Sequence, residues 1–457
     1  MSSTRPVILK TRTPTEACSP SKQFGVRIQR FRAPLDRVID GGACVPRVVS
    51  LVLAFCLFAV ASLASCAMGV RDMELPTLMG AASPTAGAVL GAPEQFRVQV
   101  LVSEVSNGTE GRTRLVRNGY RVDAEYFYPA SAIKLCAAVA ALRKIEDARE
   151  RHGGGDLLDA TMVIGPLSAS ETAQAADESN LDGGRITVGH EIRKLALVSD
   201  NQAFNRLYDL VGHEELNARM HALGLGSAVI NHRLSETRPI ADQRATAEVR
   251  LRTPDGRAIT IPAQAGTGTY TNAERPGLLV GNGHKRGDEL VGEPMDFTGR
   301  NGISLVDLQD LLVKVARPDI QLRTPGLRLS DEHREWLLRA MTEYPRESRN
   351  PVYPEAEYPD EFCKFLLPGV RRVLPSAVPG ERVEITGKIG QAYGFTIENS
   401  YLVNPASGRA VFVTAVIYTN ADGILNDDTY EYATVAEPFL ADLGELVARR
   451  WLLDTSR

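Results

Sequence analysis

The chain has 457 residues, of which 44% are hydrophobic, 24% charged and 6% aromatic. These proportions are typical of soluble globular proteins, and they exclude collagen, a long coiled coil, wholesale disorder and a multi-span membrane protein. The formal net charge of -4 does not indicate a nucleic-acid-binding surface, so we expect no nucleic-acid partner.

The beginning of the chain has the composition of an export leader. Residues 1–47 form a basic extension, and residues 1–65 together carry nine Lys or Arg against three Asp or Glu. An uncharged apolar run, VVSLVLAFCLFAVAS, then ends at Ser62 and is followed by small residues. This pattern predicts a signal peptide over residues 48–65.

The residues around Cys66 give a more specific expectation about location. Leu63 to Cys66 resemble the bacterial lipoprotein box, in which the cysteine becomes the acylated first residue of the mature chain. We therefore expect an exported lipoprotein of the cell envelope, held in the membrane by a lipid on Cys66 and facing the periplasm or the exterior. The alternative is a short N-terminal membrane anchor, although the apolar run is shorter than the roughly 20 residues that a span needs. Residues 66–95 are rich in Ala, Gly, Pro and Thr and predict a flexible tether.

The first regular elements follow this tether. Phe96–Val105 alternates apolar and polar residues, and Arg112–Val122 offers a second strand after a turn, so the two predict an antiparallel hairpin. A helix is then predicted from Ser131 to about Ala148, where apolar residues recur at helical spacing.

The rest of the chain is helical in the middle and strand-rich near the end. The predicted helices are Val188–Leu197, Gln202–Val211, Glu214–Leu223, Ser304–Val315, Ser330–Tyr344 and Val435–Leu453, and the predicted strands are Val383–Ile389, Phe395–Val403 and Ala410–Tyr418. Two early and three late strands around a helical middle predict an α+β fold. Its antiparallel sheet of about five strands would be built from both chain ends. We place this domain at residues 96–455.

Residues 238–300 are less regular and have the character of an insertion. Within them, Val249 to Ile261 flank Pro254-Asp255-Gly256 and predict a hairpin. Two cysteines lie in the domain, Cys136 and Cys363. A disulfide between them is one alternative, but the helical apolar run around Cys136 favours two separate buried thiols.

Three short motifs carry side chains with chemistry, and the first is Ser131-Ala132-Ile133-Lys134. Pro129 favours a helix start, so Ser131 falls in the first turn, where backbone N–H groups are free to bind a developing oxyanion. Lys134 lies one turn further on the same face, among apolar neighbours that would lower its pKa and let it accept the serine proton. The alternative is a capping serine with a surface lysine.

The second and third motifs are Ser199-Asp200-Asn201 and the segment from Lys388 to Gly394. In the second, Ser199 could relay a proton to a leaving group and the Asn201 amide could hold a substrate amide, whereas the alternative is an ordinary helix cap. In the third, Lys388 could hold a substrate carboxylate, or it could simply be the polar end of a strand. Gly390 would let substrate approach the backbone, and the Gln391 N–H could be an oxyanion donor.

Together, in order and each in its predicted element, the three motifs resemble those of the penicillin-recognising serine hydrolases, most closely the class A β-lactamase-like branch. Tyr128 to Lys134 is similar to that family's nucleophile segment, Val198 to Ala203 to its second motif, and Lys388 to Gly394 to its third. The resemblance covers about Phe96 to Leu453, except residues 238–300. It implies a β-lactamase or transpeptidase-like fold and no cofactor.

The resemblance also implies a role for each matching residue. Ser131 would be the acylated nucleophile, Lys134 its general base or proton relay, and Ser199 the proton shuttle. Asn201 and Lys388 would contact the substrate, with Lys388 as carboxylate anchor. The main chain of Ser131 and of Gln391 would form the oxyanion hole beside Gly390, and Asp200 would be structural.

The sequence departs from the family pattern at two points. Ile389 replaces the usual threonine of the third motif and removes a hydroxyl that helps to bind a carboxylate. The glutamate of the family's ExxLN loop, which activates the deacylating water, has no clear counterpart. Glu236 is the positional candidate, without the surrounding pattern. An acyl-enzyme lacking this base would persist.

The sequence thus predicts a serine hydrolase that acts on amide or ester carbonyls of small molecules, with β-lactam hydrolysis first. The alternatives are a cell-wall peptidase or esterase, and a catalytically silent surface-binding lipoprotein of the same fold. The seven histidines show no ligand spacing with cysteines or carboxylates, so we expect no metal site.

Overall fold

The computed structural model describes residues 69–453, except residues 81, 108–111 and 154. The predicted basic extension, signal peptide and lipidated Cys66 lie outside the described residues. Within the described range, no helix combines the length and the hydropathy that a membrane span requires.

The strands are short at the periphery and longest in the centre of the main sheet. In chain order they are β1 (Val70–Asp72), β2 (Gln99–Asn107), β3 (Thr113–Tyr120), β4 (Thr161–Ile164), β5 (Val249–Arg252), β6 (Ala258–Ile261), β7 (Leu279–Val280), β8 (Gly283–Arg286), β9 (Glu289–Val291), β10 (Met295–Asp296), β11 (Glu384–Gly387), β12 (Gly390–Ala392), β13 (Phe395–Asn404), β14 (Arg409–Tyr418) and β15 (Ile424–Leu425).

The helices fill the middle of the chain and both of its described ends. They are α1 (Leu75–Met79), α2 (Pro84–Gly91), α3 (Lys134–His152), α4 (Val188–Leu197), α5 (Asn201–Val211), α6 (His213–Ala222), α7 (Leu305–Ala316), α8 (Asp331–Thr342), α9 (Leu367–Val373) and α10 (Glu437–Val447). A 3-10 turn at Ala130–Ile133 precedes α3, and π-helical turns flank α10.

The main sheet, counted over the described residues, has seven strands and joins both ends of the chain. Its order is β1-β3-β2-β14-β13-β11, and β12 also pairs with β13. β14 lies in the centre, antiparallel to β2, with Val413 opposite Val102. The predicted α+β fold with a sheet from both ends is confirmed. The predicted count of about five antiparallel strands is wrong, because β1 adds a parallel strand beside β3 and the late run 383–389 is divided into β11 and β12.

Helices cover both faces of this sheet. Successive residues of a strand point to opposite faces, so Val100 and Leu101 belong to different apolar clusters. Phe439 and Leu440 of α10 pack on the Val100 face. The Leu101 face packs against α7 and the helical middle of the chain.

Side-chain caps explain where the helices around the site begin. Thr187 Oγ1 accepts a hydrogen bond from the His190 N–H (3.1 Å) at the start of α4, and Ser304 Oγ accepts one from the Asp307 N–H (3.1 Å) at α7. Each cap satisfies a backbone donor that has no partner inside the helix. The predicted helices at both places are confirmed to within a residue.

The expected flexible tether over 66–95 is wrong for the part that the structure describes. Val70–Asp72, Leu75–Met79 and Pro84–Gly91 form β1, α1 and α2, and Leu75 and Val89 are fully buried against the sheet. These elements are too short for a helical or strand period to be visible in the sequence. Their order comes from tertiary packing on a face that both chain ends build.

The expected hairpin within residues 238–300 forms from β5 and β6, with Leu251 opposite Ile259. β4, from much earlier in the chain, pairs with β5 and extends the hairpin to three strands. Val249 and Phe297 are buried in the same apolar cluster as the helical middle. Residues 238–300 are therefore part of the main body. The two cysteines of the domain are both buried and free, as predicted.

Candidate active site

Ser131 lies in the 3-10 turn that leads into α3. The turn begins at Pro129, whose carbonyl accepts a hydrogen bond from the Ala132 N–H at 2.9 Å, and Ala130 has a φ of 47°, which a residue with a Cβ rarely adopts. The α-helix predicted from Ser131 therefore starts three residues later, at Lys134, because a 3-10 turn forms its N-terminal end. Ser131 itself is half-buried.

Lys134 is fully buried, which excludes the surface lysine considered above. Its Nζ donates to Ser199 O, to Asn201 Oδ1 at 2.7 Å and to Ser199 Oγ at 3.2 Å. Burial, followed by the charge of Lys388, lowers the pKa of Lys134 well below its ordinary value. A neutral amine has two N–H donors and one lone pair. The bonds to Ser199 O and Asn201 Oδ1 can use both donors and leave the lone pair to accept a hydroxyl proton.

The second motif combines a helix cap with two residues that face the lysines. Asp200 Oδ1 accepts a hydrogen bond from the Ala203 N–H (2.8 Å) and caps α5, so Asp200 has the predicted structural role. Ser199 has a φ of 59°. The chain thereby turns sharply before the helix, and Ser199 and Asn201 both contact Lys134.

Lys388 lies between β11 and β12 and is only 1% exposed, so it is not the polar end of a strand. Its Nζ donates to Ser199 Oγ at 2.8 Å and to Ile389 O at 2.9 Å. Burial lowers the pKa of Lys388 to about 8. The side-chain nitrogens of two lysines therefore contact the single hydroxyl of Ser199.

Gly390 brings β12 against the nucleophile turn. A Cβ at this position would lie 2.4 Å from Pro129 O and 2.9 Å from Ser131 N, closer than van der Waals contact allows. The next residue, Gln391, is half-buried, and its Nε2 donates to Glu437 Oε1 at 3.3 Å. The third motif thus lies directly beside the Ser131 main chain, where the predicted oxyanion donors belong.

Two cavities meet at Ser131 and Gln391, which line both of them. The small cavity has a volume of about 440 Å³ and also includes Ser199. The large cavity has a volume of about 1210 Å³ and also includes Asn201. The Ser131 hydroxyl is therefore accessible to a substrate that extends in two directions.

Glu236 lines the large cavity and pairs with a cation. Its Oε2 lies 3.5 Å from Arg238 Nε. The neighbouring Ser235 is the residue that contacts the second motif, because Asn201 Nδ2 donates to Ser235 Oγ at 2.7 Å. Ser235 also has a positive φ, 54°. Glu236 thus lies in the cavity wall, and the side chain that contacts Asn201 is the hydroxyl of Ser235.

The sequence interpretation missed the residues that shape the two cavities. Ser235 is one of these residues, and it directly precedes Glu236, the candidate predicted from the sequence. Phe362 and Phe365 are others, and they line the small cavity from a segment without regular periodicity. Tyr128, from the nucleophile segment, stacks with His232 at a ring distance of 6.2 Å in the wall of the large cavity. No local sequence signal distinguishes these side chains from ordinary core residues.

Across the described part of the chain, no three His, Cys, Asp or Glu side chains converge in a way that could hold a metal ion.

Residues 89–267 match the model of the beta-lactamase enzyme family. The match includes the first and second motifs and ends before the third. It supports a place among the penicillin-recognising serine hydrolases and a hydrolase activity. The comparison with curated proteins gives no significant match.

Solved structures of β-lactamases are similar to this chain at low identity. A β-lactamase from Burkholderia vietnamiensis is 15% identical, with a TM-score of 0.42, over 80% of this chain and 96% of its own. A class A β-lactamase from Mycobacterium abscessus is 14% identical, with a TM-score of 0.42, over 80% and 98%. One from Burkholderia ambifaria is 16% identical, with a TM-score of 0.43, over 82% and 98%.

Proposed function

We propose that this protein is a serine hydrolase that forms an acyl-enzyme on Ser131, with β-lactams as the first substrates to test. The observation that carries the proposal is the pair of buried lysines, Lys134 and Lys388, on the Ser199 hydroxyl in a cavity that Ser131 also lines. Burying two lysine side chains together destabilises a protein, so such a pair indicates a functional site. The family match over residues 89–267 supports the same reaction.

In the acylation step, Ser131 Oγ attacks the substrate carbonyl carbon and its proton passes to the neutral Nζ of Lys134. The main-chain N–H groups of Ser131 and Gln391 hold the oxyanion. The bond from the carbonyl carbon to the leaving nitrogen or oxygen then breaks. Ser199 gives its proton to that atom and receives one from Lys134, which becomes neutral again.

Hydrolysis of the acyl-enzyme is the slower step in this proposal. It needs a base to take a proton from water, and Glu236 is the proposed residue because it lines the cavity that contains Ser131. The Glu236 carboxylate lies 3.5 Å from Arg238 Nε, and the Asn201 amide donates to Ser235 Oγ instead of to Glu236. We therefore expect a long-lived acyl-enzyme with β-lactams.

One observation favours a second candidate, a peptidase or esterase acting on longer substrates. The large cavity, at about 1210 Å³, exceeds the roughly 300–1,000 Å³ of common small-ligand pockets. The same acyl-enzyme chemistry would serve such a substrate. A catalytically silent surface protein remains the outcome to exclude.

Intact-mass spectrometry after incubation with benzylpenicillin tests the proposal. We expect one adduct, on Ser131, that persists for minutes or longer and is absent from Ser131→Ala. A short-lived adduct would mean efficient β-lactam hydrolysis. No adduct with the penicillin or with a reactive thioester would indicate the silent protein and overturn the proposal.

The cellular location is a separate proposal, which rests on the apolar run ending at Ser62 and on Cys66. We propose that the protein is exported and anchored by a lipid on Cys66. Labelling of the expressed chain with a fatty acid, and loss of the label in Cys66→Ala, would test this.

A further inference from the structure

We propose that the preferred substrate carries an uncharged apolar leaving group, which binds in the small cavity, and a longer polar acyl arm, which binds in the large cavity. This inference rests on the proposed function, because it assigns the two parts of the substrate relative to Ser131. It differs from the carboxylate-anchoring role that the sequence suggests for Lys388.

The direction follows from hydrogen bonds to the second motif. Ser199 Oγ accepts from Lys388 Nζ at 2.8 Å and lies 3.2 Å from Lys134 Nζ, so its own hydrogen is free to point to the leaving atom. Ser199 lines the small cavity and not the large one. Asn201 lines the large cavity together with Ser235, whose hydroxyl accepts from Asn201 Nδ2 at 2.7 Å, so an amide of the acyl arm would meet this polar pair there.

The small cavity is chemically suited to an apolar group. The residues that line it include four apolar side chains: Val198, Phe362, Phe365 and Ile389. Phe362 is 37% exposed, so it is one of the few large apolar side chains left in contact with solvent among the described residues. A bound apolar group would remove this surface from water.

The charges around the small cavity disfavour a carboxylate there. Glu361 and Glu437 both line it, and a carboxylate on the leaving group would be repelled by them. Lys388 is 1% exposed and already donates to Ser199 Oγ and Ile389 O. Ile389 supplies a side chain without a hydroxyl, so the hydrogen-bond donor that could help a carboxylate is missing at this position.

The large cavity has the opposite character. Arg238, Arg300 and Lys285 line it together with Glu293 and Asp296. A lining that contains both cations and carboxylates suits a polar arm with both donors and acceptors, such as a short peptide. The acyl part of the substrate therefore has room and partners that the leaving group lacks.

Two thioesters with the same N-acetylglycyl acyl group test the proposal on the full chain. One has benzyl mercaptan as leaving group, and the other has 2-mercapto-2-phenylacetate, which is the same group with a carboxylate added. We expect kcat/KM to be at least about tenfold higher for the neutral thioester. The acyl-enzyme is common to both, so its hydrolysis rate should be identical and serves as an internal control.

Variants of residues that line the small cavity test whether the preference for the neutral leaving group arises there. Phe362→Ala should lower kcat/KM for the benzyl thioester about tenfold but change it less than about threefold for a methyl thioester of the same acyl group. Glu361→Gln should raise kcat/KM for the carboxylate analogue. Leu181→Ala, at another exposed apolar residue outside both cavities, is the matched control and should change neither.

Equal or reversed rates for the two thioesters would overturn the proposal, as would a Phe362→Ala effect of the same size on the methyl thioester. If neither thioester nor benzylpenicillin labels Ser131, the proposed function itself fails. Labelling without discrimination between leaving groups removes only the inference made here.

Discussion

The side-chain nitrogens of Lys134 and Lys388 both contact one serine hydroxyl, and both lysines are almost completely buried. Two like charges in a low-dielectric site raise each other's free energy, and losing one proton relieves both the repulsion and the cost of burial. Burial lowers the pKa of both lysines, and the charge of Lys388 lowers the pKa of Lys134 further. At the scale of single residues, Lys134 can act as a base because the positive charge of Lys388 favours its neutral form.

Replacing Lys134 by Ala should reduce the rate of Ser131 acylation by about 10²- to 10⁴-fold, because the general base is removed. The rate of adduct formation with benzylpenicillin measures this, and circular dichroism should show an unchanged fold. Lys144→Ala is the control, since Lys144 is in the same helix but pairs with Glu215 at 2.6 Å. Unchanged acylation at neutral pH in Lys134→Ala would contradict the assigned role.

The pH dependence of acylation should be bell-shaped. Protonation of Lys134 stops the reaction at low pH, and the rate rises as Lys134 becomes neutral. Since the pKa of Lys388 is about 8, the rate should fall above about pH 8 as Lys388 loses the charge that contacts Ser199. Second-order acylation rates from pH 5 to 10 test this, and a rate that still rises at pH 10 would exclude the role of Lys388 as a cation.

At the scale of elements, the site depends on the contact of β12 with the 3-10 turn before α3. Gly390 permits this contact, because any larger residue would meet the main chain of Pro129 and Ser131. β12 is held in turn by pairing with β13, with Gly390 opposite Ile397. The position of the nucleophile is therefore set by strand pairing as well as by its own helix.

Gly390→Ala should move β12 away from the turn, lower the free energy of unfolding by about 1–3 kcal/mol and slow acylation by about a hundredfold. Denaturant unfolding and adduct formation measure the two effects. Gly226→Ala provides the comparison, because a Cβ there would meet nothing within 4 Å. An active Gly390→Ala of normal stability would show that the close approach has no role.

At the scale of the whole molecule, residues 70–91 complete the sheet and one of its apolar faces. β1 pairs with β3, while α1 and α2 pack in the same cluster as α10 from the other end of the chain. The two described ends are therefore joined in one core. Loss of contacts at either end should be felt by the entire domain.

Leu75→Ala tests this, because Leu75 is fully buried in α1. It should lower the free energy of unfolding by about 2–5 kcal/mol in a single transition of the domain. Thermal unfolding followed by two probes would measure it, with the exposed Thr77→Ala as the control. An unchanged melting temperature would restore the interpretation of this segment as a tether.

Regular periodicity predicted the long elements well. α4 was predicted with the bounds that it has, and β13 and β14 differ from their predictions by one residue at one end. Periodicity reports local burial, which for long elements agrees with the final packing. Short elements such as β1 and α1 escaped detection because a few residues cannot show a period.

The sequence alone identified the chemical groups of the candidate site. They are Ser131, Lys134, Ser199, Asn201 and Lys388, and each lies at the end of a predicted element or in a turn. Contacts between distant parts of the chain decide how deeply these groups are buried. Such contacts also produce the hydrogen bond from Lys388 to Ser199 and the two cavities that Ser131 lines. Lys388 and Ser199 are 189 positions apart. A local pattern identifies which groups are present, whereas proton affinity and cavity shape depend on neighbours that meet only when the sheet and helices pack.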